Sequence, residues 1–294
     1  MHETSILLFG RNGQLGRALQ AALSDIGPVT ALGRADADFS RPEQVRSVVQ
    51  DREPKMIVNA AAFTDVDGAE SDKETAHLVN AVAPGVLAEE AERIGAGIVH
   101  YSTDYVFDGR AERPYTEAAA TDPRTVYGKT KREGERRIQS GAAPFWIFRT
   151  SWLYGPTGDN FLRTMLRLGR ERDRLQVVDD QFGSPTSTLW LADATRHVIQ
   201  CVLGSIDMGR TSGIYHSVSR GQTSWYGFAQ AIFRVFDVDV EVEPVDTSAF
   251  PRPASRPAYS VLDPSKLMRT FGLQPPSWSR QLADIRKPLL EAER

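Results

Sequence analysis

The sequence predicts an α/β protein in which a doubly wound parallel sheet is followed by a smaller α/β lobe toward the C-terminus. Three observations lead there. Short β-branched and apolar runs alternate with segments of helical period through the first half of the chain, the order that builds a parallel sheet covered on both faces. A glycine cluster sits between the first such run and the first helical segment. Beyond residue 152 the rhythm loosens, and stretches bearing glycine and proline interrupt shorter elements. With 294 residues, 41% of them hydrophobic and 25% charged, the chain can bury a core in one large unit or two smaller ones.

Taken in order, "SILLFG" at 5–10, "PVTAL" at 28–32, "MIVNAAA" at 56–62, "AGIVHYS" at 96–102 and "FWIFRTS" at 145–151 read as fully buried strands. Helical spacing recurs in "QLGRALQAAL" at 14–23, "RPEQVRSVVQ" at 41–50, the twenty-residue run 76–95, and "YGKTKREGERRI" at 127–138. These elements make residues 1–152 the predicted dinucleotide-binding domain. Residues 153–294 are predominantly the second lobe, with room for the chain to return to the first domain within 185–220. In that lobe "WLADATRHVIQCVLG" and "SWYGFAQAIFRVF" read as helices, and "GIYHSV" and "VEVEPV" as short strands.

Charge and cysteine content narrow the function classes. A formal net charge of −3 offers no broad basic field, which excludes nucleic acid as the expected partner. The opening "MHETSILLFG" is too short in apolar residues for a signal peptide, and no run approaches the roughly 18 apolar residues of a membrane span. A cytoplasmic location is expected. Cys201 has no partner for a disulfide or a zinc site and reads as helix core packing.

"GRNGQLG" at 10–16 follows the first strand and opens the first helix, the context of a dinucleotide-binding turn in a Rossmann-type sheet. Gly10 makes the tight turn, Gly13 lets a pyrophosphate approach, and Gly16 lets the helix pack closely on the sheet. The amides at Gln14, Leu15 and Gly16 then face the phosphates. At the end of the second strand, where an acid usually takes the ribose 2′-hydroxyl, stand Gly33 and Arg34. With the acid gone and Arg34 present, and Arg11 on the same side, NADPH is expected over NADH. Asp38 is placed to bond the adenine amino group, with Phe39 beside it. Ala61, Ala62, Phe63 and Thr64, in the small-residue stretch after the third strand, let a cofactor lie against the chain. Asn80, polar in an apolar helical face, is expected to brace the site.

Tyr127 and Lys131 are four apart and share one helix face. "YSTDYVF" precedes them at the carboxyl edge of the sheet, where such folds bind ligands. A hydroxyl, a phenol and an ammonium together suit one job. The ammonium lowers the phenol pKa and binds the cofactor ribose, the phenol protonates a carbonyl oxygen, and the hydroxyl holds that oxygen. This is what hydride transfer asks of a protein, because the nicotinamide carries the electrons.

With these motifs in place, the sequence resembles the extended short-chain dehydrogenase/reductases, and among them the dTDP-4-dehydrorhamnose reductase family. "GRNGQLG", "VNAAAFTDVDGAES", "VHYSTDYVFDG", "VYGKTKREGE", "FRTSWLYG", "DDQFGSPT" and "ASRPAYS" occur in that family's order over nearly the whole chain. The resemblance implies that Thr103, Tyr127 and Lys131 are catalytic. It implies that Asp104 and Trp152 line the sugar pocket, that Thr64 lies near the nicotinamide, and that Asn160, Arg256 and the loop from Gln181 to Thr186 grip the nucleotide-sugar. The implied substrate is a dTDP-linked keto-deoxy sugar, reduced at C4 with NAD(P)H, by a monomer or homodimer. Some members hold magnesium at a dimer contact through carboxylates. The matching positions are Ala18 and Leu189-Trp190, so no metal site is expected. Two other readings share the fold. An NADP-binding regulatory subunit is disfavoured by retention of all three catalytic residues. A nucleotide-sugar epimerase or dehydratase, or another nucleotide-sugar reductase, keeps the same three residues. Epimerases and dehydratases ask for additional acid/base groups near the sugar, and dehydratases commonly have an Asp-Glu pair beside the threonine, where this chain has Asp104 and Tyr105.

Overall fold

The computed structural model describes residues 5–205 and 208–292, so the first four residues of the opening stretch lie outside it. The chain runs β1 (Ile6–Phe9), α1 (Gln14–Leu23), β2 (Val29–Leu32), α2 (Pro42–Arg52), β3 (Met56–Asn59), α3 (Gly68–Ser71), α4 (Lys73–His77), α5 (Ala83–Ile94), β4 (Gly97–Thr103), α6 (Val126–Ser140) and β5 (Phe145–Thr150). It continues through β6 (Leu153–Tyr154), α7 (Phe161–Glu171), β7 (Arg174–Val178), β8 (Phe182–Gly183), β9 (Thr186–Ser187), α8 (Thr188–Leu203), β10 (Gly213–His216), β11 (Thr223–Ser224) and α9 (Trp225–Phe236). The last elements are β12 (Glu241–Val245), α10 (Ser265–Phe271), α11 (Trp278–Asp284) and α12 (Arg286–Ala292).

Six parallel strands form the central, Rossmann-like sheet in the order β10-β5-β4-β3-β1-β2. The order reverses between β1 and β3, which opens a crevice at their carboxyl ends. Strand periodicity divides the core. Ile6, Leu8, Met56, Val58, Trp146 and Phe148 meet α1, α8 and α10, while Leu7, Phe9, Ile57, Ile98 and Ile147 meet α2, α5 and α6. A third core, built from Leu162, Leu166, Phe228, Ile232, Leu175 and Leu282, holds the second lobe together. Among the described residues no helix is long and apolar enough to cross a membrane.

Several elements depart from expectation. The segment 76–95 is not one α-helix: a π-turn at Leu78–Val82 separates α4 from α5. The strand over "GIYHSV", within the span 185–220 that the sequence leaves open for a return of the chain, pairs as β10 with β5 along Trp146 to Arg149 and so extends the central sheet. Likewise α8 lays Leu191, Val198 and Ile199 on the same core face as α1. Cys201 does not pack in the core. It lies on the outer face of α8 and is exposed, 3.5 Å from His197 Nε2. The edge strand β2 is half-buried throughout.

Candidate active site

The glycine loop uses its three glycines differently. Gly10 has φ +89°, and a Cβ there would fall 2.6 Å from the Ala60 carbonyl carbon. At Gly16 a Cβ would stand 2.0 Å from the Gly10 carbonyl oxygen. Both are demanded by the chain's own packing. Gly13 is not: its φ of −71° suits any residue, and a Cβ there would meet only Gly10 O at 3.4 Å. Its bare Cα therefore leaves room for something outside the chain. As the N-cap of α1 it makes no side-chain bond, and the first turn carries no acid, so the amides of Gln14, Leu15 and Gly16 are available to phosphate. The loop fits a dinucleotide. Leu15 contributes main chain only, since its side chain is buried.

At the end of β2 the charges are paired. Arg34 is well exposed and meets Asp38 at 3.2 Å, while Arg11 donates to Ala31 O and meets Asp36 at 3.2 Å. Asp38 also accepts from the Ser40 amide and hydroxyl, at 2.9 and 2.8 Å. Its carboxylate is thus already engaged in the turn. Phe39 departs from expectation: its ring packs edge-on against Phe9 at 5.2 Å in the core, leaving only its main chain for a nucleotide.

Beyond β3 the loop 60–64 is held from behind. Asn80 Oδ1 accepts from Phe63 N at 2.9 Å, and Nδ2 donates to Phe63 O at 3.0 Å and Thr130 Oγ1 at 3.3 Å. The π-turn presents this side chain, and Gly134 of α6 permits the approach, since a Cβ there would lie 2.1 Å from Asn80 O. Ala61 and Ala62 are half-buried and Thr64 is exposed on this shelf.

Thr103 ends β4 and Tyr127 lies in the first turn of α6. Thr125 caps that helix by accepting from Gly128 N at 3.1 Å, and Gly128 lets it sit under Tyr105, where a Cβ would meet Tyr105 O at 2.2 Å. Burial pushes the Tyr127 phenol up to about 12; a hydrogen bond with Thr103 pulls it down and the Asp104 charge raises it further. Lys131 does not tune it as expected. Its Nζ, fully buried, donates to Tyr101 O at 2.6 Å and lies 3.3 Å from His100 Nε2. Burial lowers Lys131 to about 8, with Glu135 on the same helix holding it up. His100, bonded through Nδ1 to Asn59 Nδ2 at 3.0 Å, is held well below its usual range by burial and by Lys131. Asp104 accepts from Thr103 Oγ1 at 3.0 Å, and burial raises it to about 6 while the Ser260 and Thr103 hydroxyls favour its anion. Its Oδ2 has no hydrogen-bond partner within the geometric limits of a bond.

Trp152, at the end of the first domain, packs against second-lobe residues. Trp152 has φ +47°, lies over Gly183, where a Cβ would clash at 2.4 Å, and stacks on Trp225 with centroids 3.5 Å apart. Trp225 in turn donates from Nε1 to Gln181 Oε1 at 3.2 Å. Asn160 is committed to structure: it caps α7, accepting from Arg163 N at 3.1 Å and donating to Gly155 O at 3.1 Å. Arg256 is bound to Asp67 at 2.7 Å and borders a cleft with Tyr105, Phe107, Arg124 and Ser255. The sequence reading missed Asp67, Trp225 and His100. "TDVD" and "VHY" are too short to signal their contacts, and Trp225 looked like an ordinary helix residue. Among the described residues no three His, Cys, Asp or Glu side chains gather as a metal-holding group.

Residues 4–290 match the family model of the RmlD substrate binding domain. The chain belongs to this family. It is 45% identical over 282 residues to a dTDP-4-dehydrorhamnose reductase of Burkholderia thailandensis, covering 93% of this chain and 95% of that one. The dTDP-4-dehydrorhamnose reductase structure from Clostridium acetobutylicum superposes with a TM-score of 0.91 at 41% identity, over 97% of this chain and 99% of that one. The Bacillus anthracis enzyme, solved in complex with NADP, superposes with a TM-score of 0.90 at 36% identity, over 98% of this chain and all of its own.

Proposed function

We propose that the protein reduces the C4 ketone of dTDP-4-dehydro-6-deoxy-L-mannose (dTDP-4-dehydro-L-rhamnose) to dTDP-L-rhamnose with NADPH. It acts in the cytoplasm as a monomer or homodimer. One observation carries the reading: half-buried Tyr127, in the first turn of α6, stands beside Thr103 at the end of β4, at the sheet edge that the glycine loop serves. The bound nicotinamide supplies the hydride. Thr103 turns its hydroxyl proton from Asp104 to the ketone oxygen and orients that oxygen by a hydrogen bond. Tyr127, whose raised pKa keeps its proton in place at neutral pH, gives that proton to the oxygen as negative charge develops on it. Lys131 presents a cation beneath the site, anchored to the Tyr101 carbonyl, and is positioned to hold the cofactor ribose. Trp152, fixed in an uncommon backbone conformation with its two ring faces covered by Gly183 and Trp225, lines the sugar pocket through the edge of its ring. Family relatives named for this reduction, and one solved with NADP, support the substrate and cofactor.

The test is a coupled assay in which the 4-keto sugar nucleotide is made in situ and NADPH absorbance is followed. Tyr127→Phe is expected to keep NADPH affinity and to lower kcat by about two to four orders of magnitude. Unchanged turnover in that variant removes the proposed acid. No NADPH consumption by the wild-type protein with dTDP-, UDP- or GDP-linked keto sugars favours an NADP-binding regulatory subunit instead.

A further inference from the structure

The acid missing from position 33 is restored in space by Asp36. Its Oδ2 accepts from the Gly33 amide at 2.8 Å, which holds the carboxylate at the end of β2, where dinucleotide folds read the adenosine ribose. At Gly33 a Cβ would fall 2.8 Å from Asn12 Nδ2 and 3.4 Å from Arg11 Nε, the movable ends of two glycine-loop side chains that fold over it. Asp36 meets Arg11 at 3.2 Å, and the two side chains remain 34% and 40% exposed, so both are open to a ligand. Arg34, 79% exposed, is paired with Asp38. Two arginines that attract a phosphate are thus each matched by an aspartate that repels one.

Resting on the reading that this is a dinucleotide-using reductase, we propose that Asp36 sets the balance between NADPH and NADH in this protein. Its carboxylate accepts from a ribose 2′-hydroxyl, and it opposes a 2′-phosphate both directly and by neutralising Arg11. Specificity is the difference between two affinities, and an acid and a base sharing one point leave that difference small. The protein then binds both dinucleotides with comparable affinity, and removal of the one charge tips it toward NADPH.

The test measures Kd of NADPH and NADH for the ligand-free protein by tryptophan-fluorescence quenching or calorimetry, without turnover. Asp36→Asn keeps an oxygen for the Gly33 amide, so the turn is retained. It is expected to tighten NADPH and weaken NADH, shifting their Kd ratio about tenfold, an effect that shrinks at high salt. Arg11→Ala is expected to move the ratio the opposite way. A wild-type protein that binds both dinucleotides, with a ratio unmoved by Asp36→Asn, overturns the inference and leaves the proposed reaction standing. A wild-type protein that binds neither overturns both.

Discussion

Removing the charge of Glu135 should cost the protein a large part of its stability. Glu135 is fully buried and takes four hydrogen bonds: from Ser102 Oγ at 2.6 Å, Arg149 Nε at 2.8 Å, Arg149 Nη2 at 2.8 Å and Arg132 Nη1 at 3.1 Å. In Glu135→Gln the new amide NH2 must occupy one of the two oxygen positions. At Oε2 it faces two arginine donors, and at Oε1 it faces Arg149 Nε; either way an arginine N–H loses its acceptor. Arg149 cannot recover by turning outward. Its side chain is 2% exposed, Nη1 already lacks a partner, and its other neighbour is the Phe107 ring, 5.1 Å from the guanidinium carbon. Breaking a buried pair from one side costs about 3–5 kcal/mol. That is a large fraction of the roughly 5–15 kcal/mol that holds a domain folded. Urea unfolding followed by tryptophan fluorescence measures it. A second variant, Glu135→Gln combined with Arg149→Met, should recover most of the loss, because the fully buried guanidinium leaves with its partner, while Arg132, 19% exposed, keeps Thr121 and Gln139 as acceptors. A single-variant loss under about 1 kcal/mol would refute the reasoning.

Two further outcomes follow from the same geometry. Burial brings Lys131 to about 8 and Glu135 supports its charge, so the ammonium population falls as pH rises past that value. Turnover should decline on the alkaline side near pH 8, and in Glu135→Gln the decline should begin at lower pH, as read from kcat against pH. In the glycine loop, Gly13→Ala should leave the urea midpoint nearly unchanged and abolish detectable NADPH binding, whereas Gly16→Ala, with its 2.0 Å clash, should lower the midpoint itself. Equal destabilisation by the two would remove the argument that Gly13 is bare for a ligand's sake.

Much of the sheet was legible because β1, β3, β4 and β5 are continuous apolar runs and α1 has a clear amphipathic period. The Tyr127 and Lys131 spacing was legible for the same reason: i and i+4 on a helix is a local fact. What was hidden is non-local. Nothing within "GIYHSV" says that it pairs with β5. The π-turn around Asn80 adds no unusual residue, only a slip in period. Cys201 looked like core because cysteines usually are, yet its place on the face of α8 turned from α1 leaves it in water. The expected tuning of Tyr127 by Lys131 assumed that two residues on one face must interact. A backbone carbonyl at Tyr101 takes the ammonium first. The aspartate at 36 escaped notice because a strand-end acid is sought by position, and here the turn carries it back three residues.

The return of β10 to the sheet has a consequence for anyone who would cut or graft this molecule. A fragment ending at 152 would leave β5 as a bare edge, with Trp146 and Phe148 stripped of α8 and the strand free to pair with another copy. The second lobe is therefore not a detachable cassette. Exchanging second lobes between relatives at that boundary should give aggregates, whereas exchanges that carry α8 and β10 with the first half keep the sheet closed on its own side.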